Sequence, residues 1–309
     1  MSPTIEPPTA ADPRLAGPAA GTYEGRPLAD PTEPVFDQGF RFDLETLVGR
    51  RGVLKALGFG SLGAFLAACG AGASPSVSSS GAAATASSAS AAATSATADC
   101  AVIDEETAGP YPGDGSNGPD VLDQSGVVRS DLRSSFGGSS GTAAGVPLTI
   151  KLALQDATNG CGPFAGAAVY LWHCDRDGRY SLYSPGVTDQ NYLRGVQAAG
   201  SDGVVTFQSV FPACYSGRWP HIHFEVYPTL ATVVDQANKI ATSQVALPKD
   251  ACDLVYATDG YSQSVANLAQ VSLATDMVFG DDGGIHQLGT VTGSVADGMT
   301  VTLDVAVNG

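Results

Sequence analysis

The chain is 309 residues long with a formal charge of −16, from 15 Lys+Arg against 31 Asp+Glu. No stretch clusters basic residues with aromatics, which argues against a phosphate-backbone partner, and no nucleic acid is expected. Hydrophobic residues make up 43% and charged residues 15%, a globular balance, while 38 Gly and 19 Pro point to many turns rather than long helices.

Residues 1–49 are rich in Pro, Gly, Ala and acidic groups, without a sustained helical or strand period, and are expected to form a disordered extension. Arg50-Arg51 then precede an apolar run from Val53 to Ala68 that Lys55 interrupts early. A charged segment followed by a short apolar one is the order of an export signal. The run is too short for a spanning helix, which needs roughly 20 apolar residues. The paired arginines point to the bacterial twin-arginine route. Leu66-Ala67-Ala68-Cys69-Gly70 resembles the lipobox of bacterial lipoproteins, so Cys69 is the expected lipidation site and mature N-terminus, with an ordinary signal carrying an incidental Cys as the alternative. The long segment before the arginines leaves open a translation start near Val48.

Residues 50–69 thus read as a lipoprotein signal, and 70–99, almost wholly Ser, Ala, Gly and Thr, as a flexible tether. Beyond residue 68 the chain keeps 9 Lys+Arg against 23 Asp+Glu, so its surface is not expected to hug an anionic membrane. The expected location is the outer face of the cytoplasmic membrane, by a lipid anchor, or the medium if Cys69 is not lipidated.

Residues 100–309 carry short apolar-alternating runs at Val146–Leu154, Ala167–Trp172, Val204–Phe207, His221–Val226, Ser243–Leu247 and Met299–Val307. Asn159-Gly160, Asp177-Gly178, Asp202-Gly203, Asp282-Gly283 and Asp297-Gly298 mark turns between or beside them. The pattern predicts one all-β domain, a β-sandwich of mainly antiparallel strands with long loops around a metal site. Thr229–Asn238 is the one stretch expected to be helical. Cys100, Cys161, Cys174, Cys214 and Cys252 allow at most two disulfides. For Cys174 and Cys214 a structural role, as expected of exported thiols that end in bridges, is preferred over a thiolate metal ligand.

His221-Ile222-His223 lies in a strand-like run, where a period of two puts both imidazoles on one face. By itself this is a metal pair or two buried, hydrogen-bonded histidines. Tyr215 stands six residues upstream and Tyr180 further back. Two phenolates with two imidazoles form a hard donor set suited to Fe(III) rather than to softer ions.

Three blocks carry a family resemblance: Glu105-Glu106-Thr107-Ala108-Gly109-Pro110-Tyr111-Pro112; Gly166 through His173-Cys174-Asp175 to Gly178-Arg179-Tyr180; and Phe211-Pro212 through Tyr215 to Arg218-Trp219-Pro220-His221-Ile222-His223-Phe224. On these the sequence resembles the intradiol ring-cleavage dioxygenases from Cys100 to about Leu247. The resemblance implies one non-haem Fe(III), with Tyr180 and His221 as equatorial and Tyr215 and His223 as axial ligands. It implies Fe(III)-dependent cleavage of catechol-type diols with O2 to cis,cis-muconate-type diacids, here in extracytoplasmic breakdown of lignin-derived aromatics. Tyr215 would accept a substrate proton, Arg218 would steady negative charge on the ring, and Gln244 matches a further polar residue of the family's site. Tyr111 is either a wall of the substrate pocket or a turn aromatic packed on the core. His173 reads as structural, and His286 is given no role. The helical N-terminal dimerisation segment of intracellular members is replaced here by the signal and tether. Two rivals remain: a non-catalytic sandwich that binds carbohydrate or cell-wall polymer, and a zinc hydrolase, for which tyrosine is an uncommon ligand.

Overall fold

The computed structural model describes residues 100–309, together with β1 (Thr22–Tyr23) and β2 (Arg26–Pro27), which pair antiparallel. The Arg50-Arg51 signal, Cys69 and the 70–99 tether lie outside the described residues, as does the rest of the 1–49 extension. Among the described residues no helix is long and apolar enough to cross a membrane.

The chain from Cys100 is β-rich with few helices. In one sheet, β3 (Pro147–Asp156) is central. It pairs in parallel with β11 (Gly298–Val307), which pairs antiparallel with β10 (Thr290–Ser294). On its other side β3 pairs antiparallel with β7 (Val204–Val210) and, at its end, with β4 (Gly162–Pro163). The other sheet, entirely antiparallel, runs β6 (Arg194–Ala198), β5 (Ala168–Trp172), β8 (His221–Tyr227), β9 (Ala241–Ala246).

The strand period assigns each face. In β3, Leu148, Ile150, Leu152 and Leu154 are buried, while Lys151 between them is exposed. Burying each such side chain is worth about 1.5–3 kcal/mol. They share one apolar cluster with Val169 and Leu171 of β5 and Ile222, Phe224 and Val226 of β8. Strands β5 and β8, by contrast, are buried at every residue, so they are covered on both faces. The outer face of β5 presents Ala168, Tyr170 and Trp172 to a second cluster that includes Val121, Phe136, Tyr180 and Ala213 from the overlying loops.

The expected helix at Thr229–Asn238 is not formed; the segment holds only two 3-10 turns, Leu230–Thr232 and Gln236–Asn238. Three consecutive β-branched residues, Thr232-Val233-Val234, disfavour a helix. Asp235 turns its carboxylate onto the Ala237 amide, and the Asn238 amide donates to the Thr232 carbonyl. Among the described residues the α-helices lie later, α1 (Lys249–Tyr256) and α2 (Ser262–Leu268). Helix α1 starts after Pro248, carries Asp250 in its first turn, and buries Ala251, Cys252, Val255 and Tyr256.

Cys100 and Cys161 form a disulfide that ties the start of the domain to the turn after β3. Cys174 and Cys214 are not bridged, contrary to expectation; with Cys252 they are buried free thiols. Their sulfurs rest on main-chain carbonyls instead, Cys174 on Ala213 at 3.7 Å and Cys214 on Arg218 at 3.5 Å. Burial pushes the Cys214 thiol up to about 12 and Cys174 higher still.

Candidate metal centre

The site lies on the outer face of the four-stranded sheet, under the loops. Asp175, just beyond β5, folds the turn that delivers Tyr180. Its carboxylate accepts from the amides of Asp177 and Arg179, from Arg179 Nε, and from the Tyr192 hydroxyl. Gly178 takes φ +81°, and a Cβ there would stand 3.1 Å from Tyr215 Cβ, so glycine lets the two tyrosine-bearing segments approach. Tyr215 follows β7 and is held from behind by α2: Ser264 accepts from the Cys214 amide and Asn267 donates to the Cys214 carbonyl.

His221 and His223 alternate with core residues along β8. The His221 Nδ1–H donates to the Trp219 carbonyl, which can only accept, so Nε2 carries the lone pair. Register places His223 between Trp172 of β5 and Gln244 of β9. Its ring lies parallel to Trp172 at 4.9 Å, and a Cβ on Gly109 would meet its Cε1 at 3.3 Å.

Four donor atoms converge as a result. Tyr215 Oη is 3.1 Å from His221 Nε2 and 3.5 Å from Tyr180 Oη; Tyr180 Oη is 3.4 Å from His221 Nε2; the two imidazole Nε2 atoms are 3.1 Å apart. Ligands bound at about 2.0–2.2 Å to one cation stand about this far from one another. Two phenols and two imidazoles suit hard Fe(III), and the four residues fit that ion. Among the described residues no group of three or more His, Cys, Asp or Glu is arranged to hold a metal, so the donor set usual for zinc is not found there.

Burial first, then Tyr215, pushes the Tyr180 phenol well above its ordinary range; burial raises Tyr215 to about 12, with Arg218 opposing. Burial, reinforced by Arg218, holds His221 well below the ordinary imidazole range, and burial with His221 and Arg218 does the same for His223. The imidazoles are therefore neutral and ready to donate, whereas ionising both phenols in this setting requires more positive charge than Arg218 supplies.

Arg218 is buried, and Asp276 and the two phenols more than offset the desolvation that works against its charge. Its Nε donates to Asp276 at 2.9 Å and its Nη2 to Gln244 Oε1 at 2.7 Å, while Gln244 Nε2 donates to the Thr107 carbonyl. Arg218 and Gln244 are thus hydrogen-bonded partners. Tyr111 is half-buried, its ring 5.1 Å from both Tyr180 and Tyr183. His173 is buried away from the four donors, bonded to the Cys174 carbonyl and Ser209 Oγ at 2.7 Å each, and His286 is exposed. Asp276 and the α2 residues Ser264 and Asn267 escaped the sequence reading, and Asp175 and Gly109, though within the blocks that carry the family resemblance, were given no role there. Only Asp276, an acidic residue beside the apolar run Met277-Val278-Phe279, left any signal of burial.

A family model described as Dioxygenase matches residues 117–272, half of the chain. The chain is 42% identical over 53 residues to chlorocatechol 1,2-dioxygenase of Rhodococcus opacus, a match that spans 17% of this chain and only 21% of that protein. Among solved structures it is similar to an intradiol ring-cleavage dioxygenase from Tetranychus urticae, with 25% identity, a TM-score of 0.53, and coverage of 68% of this chain and 95% of that one. It also matches the dioxygenase domain of a dioxygenase carbohydrate-binding protein fusion from Streptomyces sp. SirexAA-E, at 22% identity and a TM-score of 0.43, covering 67% and 99%. The chain belongs to the intradiol ring-cleavage dioxygenase family.

Proposed function

We propose that this protein uses Fe(III) on Tyr180, Tyr215, His221 and His223 to split catechol-type diols between their two hydroxyl-bearing carbons. O2 is the oxidant, and both its atoms enter a cis,cis-muconate-type diacid, so no external reductant is needed. The observation that carries this reading is the convergence of two phenol oxygens and two imidazole nitrogens within 3.5 Å of their neighbours on a buried sheet face. We read the two packed sheets as a β-sandwich whose long loops close over that face.

Bound iron would supply the Lewis acidity that lets a catechol bind as its dianion and the redox partner that lets O2 react with the ring. The protein supplies the rest. Tyr215 Oη, raised to about 12 by burial, is basic enough as a phenolate to take a substrate hydroxyl proton. Arg218, fixed in protonated form beside both phenols, stabilises negative charge that develops on the ring. Gln244 holds one edge of that guanidinium. Tyr111 stands against Tyr180 as a wall of the substrate space. The Arg50-Arg51 signal and the Cys69 lipobox support work outside the cytoplasmic membrane, on lignin-derived catechols, with the 70–99 segment as tether.

The test is a visible absorption spectrum of residues 99–309, before and after anaerobic catechol. A red-purple band that shifts on addition is expected from tyrosinate on Fe(III). A protein that stays colourless after ferric reconstitution would overturn the reading.

A further inference from the structure

We propose that Asp276 is a positioning residue for the reaction, acting through Arg218; this rests on the reading of Arg218 given above. Asp276 lies beyond the residues matched by the family model, in the segment between α2 and β10. Its side chain is fully buried, and each oxygen serves a different part of the chain. Oδ2 accepts from Arg218 Nε at 2.9 Å and from the Trp219 amide at 2.6 Å. Oδ1 accepts from the amides of Val278 at 2.8 Å and Phe279 at 3.1 Å, which fixes the carboxylate plane. Phe279 places its ring 5.9 Å from the Arg218 guanidinium carbon.

An arginine side chain has several rotatable bonds, and its planar fork is useful only when its plane is set. Here Asp276 takes the Nε edge and Gln244 takes Nη2, leaving Nη1 without a protein hydrogen bond among the described residues. Two anchors on one plane set both the direction and the tilt of the guanidinium. The same Asp276 oxygen grips the Trp219 amide, and the Trp219 carbonyl orients His221, so this carboxylate ties the arginine and the histidine strand into one unit. Gln244 alone leaves the plane free to pivot about a single hydrogen bond.

Asp276→Asn removes the charge and turns either an NH2 toward the Arg218 and Trp219 donors or one toward the Val278 and Phe279 amides. With iron loaded to the wild-type level, kcat for catechol is expected to fall about ten- to a hundredfold with KM changed less than about threefold. In an Arg218→Gln background the same substitution is expected to change kcat less than about twofold, because its effect runs through the arginine. In the wild-type protein loaded with diamagnetic Ga(III) in place of Fe(III), whether or not Asp276→Asn folds, the Arg218 guanidinium 15N resonances should show hindered rotation about Nε–Cζ. Wild-type kcat in Asp276→Asn, an equal loss in both backgrounds, or a freely rotating guanidinium would each overturn the proposal. A wild-type protein that loads iron and leaves catechol uncleaved would instead sink the dioxygenase reading, with the NMR result still reporting the Asp276–Arg218 pairing.

Discussion

The two sheets share one apolar core, yet the four candidate donors gather over only one of them. Strand β3 alternates fully buried residues with exposed or half-buried ones, Pro147, Thr149, Lys151, Ala153 and Gln155, so its outer face is open to water. Strand β8 is buried on both faces, so it can present Ile222, Phe224 and Val226 to the core and His221, His223 and Glu225 to a second, loop-covered layer. A polar side chain gains unusual reactivity only where water is excluded and partners are fixed. The loops over the four-stranded sheet create that condition, and the five-stranded sheet lacks it.

The contrast can be broken within one strand. His223→Gln removes a nitrogen donor from the site side, and iron content, visible band and ring cleavage should all collapse, cleavage by more than about a hundredfold. Ile222→Ala, its immediate neighbour, empties space on the core side and should lower unfolding free energy by about 2–5 kcal/mol while the folded protein keeps its colour. Urea unfolding and iron analysis of the two variants separate the outcomes. A bleached Ile222→Ala would show that the two faces are not independent.

His173 sharpens the comparison through pH, because it is a buried histidine without a proposed metal role. Burial, only partly offset by the Cys174 carbonyl, lowers its pKa to about 4 from an ordinary 6.5. The folded state therefore favours neutral His173; the stability this contributes is full above pH 6.5 and is lost as pH falls through about 4. By linkage the loss is of order 3 kcal/mol. His173→Gln should flatten the slope of unfolding free energy against pH between those limits, and equal slopes in both proteins would refute the assignment.

The smallest effect is expected at Gly178. An alanine there must hold φ +81° and meet Tyr215 Cβ at 3.1 Å. A loss of about 1–2 kcal/mol should follow from the left-handed backbone. Displacement of Tyr215 should also shift the visible band, whereas an unchanged spectrum would mean that the turn absorbs the methyl group without moving the tyrosine.

Much of this arrangement was legible in the residues themselves. Alternation marked β3, β5, β7, β8, β9 and β11 because each buries a regular row of apolar side chains. His221 and His223 declared a shared face through the period of two. Strands β6 and β10 were invisible: Arg194-Gly195-Val196-Gln197-Ala198 and Thr290-Val291-Thr292-Gly293-Ser294 each hold a single strongly apolar residue, and pairing rather than pattern makes them strands. The helices fell where the family resemblance thins, and Thr229–Asn238 has helical composition only until its β-branched run is weighed.

The sequence by itself determined that His221 and His223 share a face, through the local period of two, and its family resemblance pointed to Tyr180, Tyr215 and Arg218 beside them. Tertiary structure decided which thiols pair, that Cys174 and Cys214 stay free, that Arg218 meets Gln244, and that Asp276 grips both Arg218 and the Trp219 amide across 57 residues or more. Such contacts depend on where distant segments pack, and neither hydrophobic periodicity nor spacing along the chain encodes that distance.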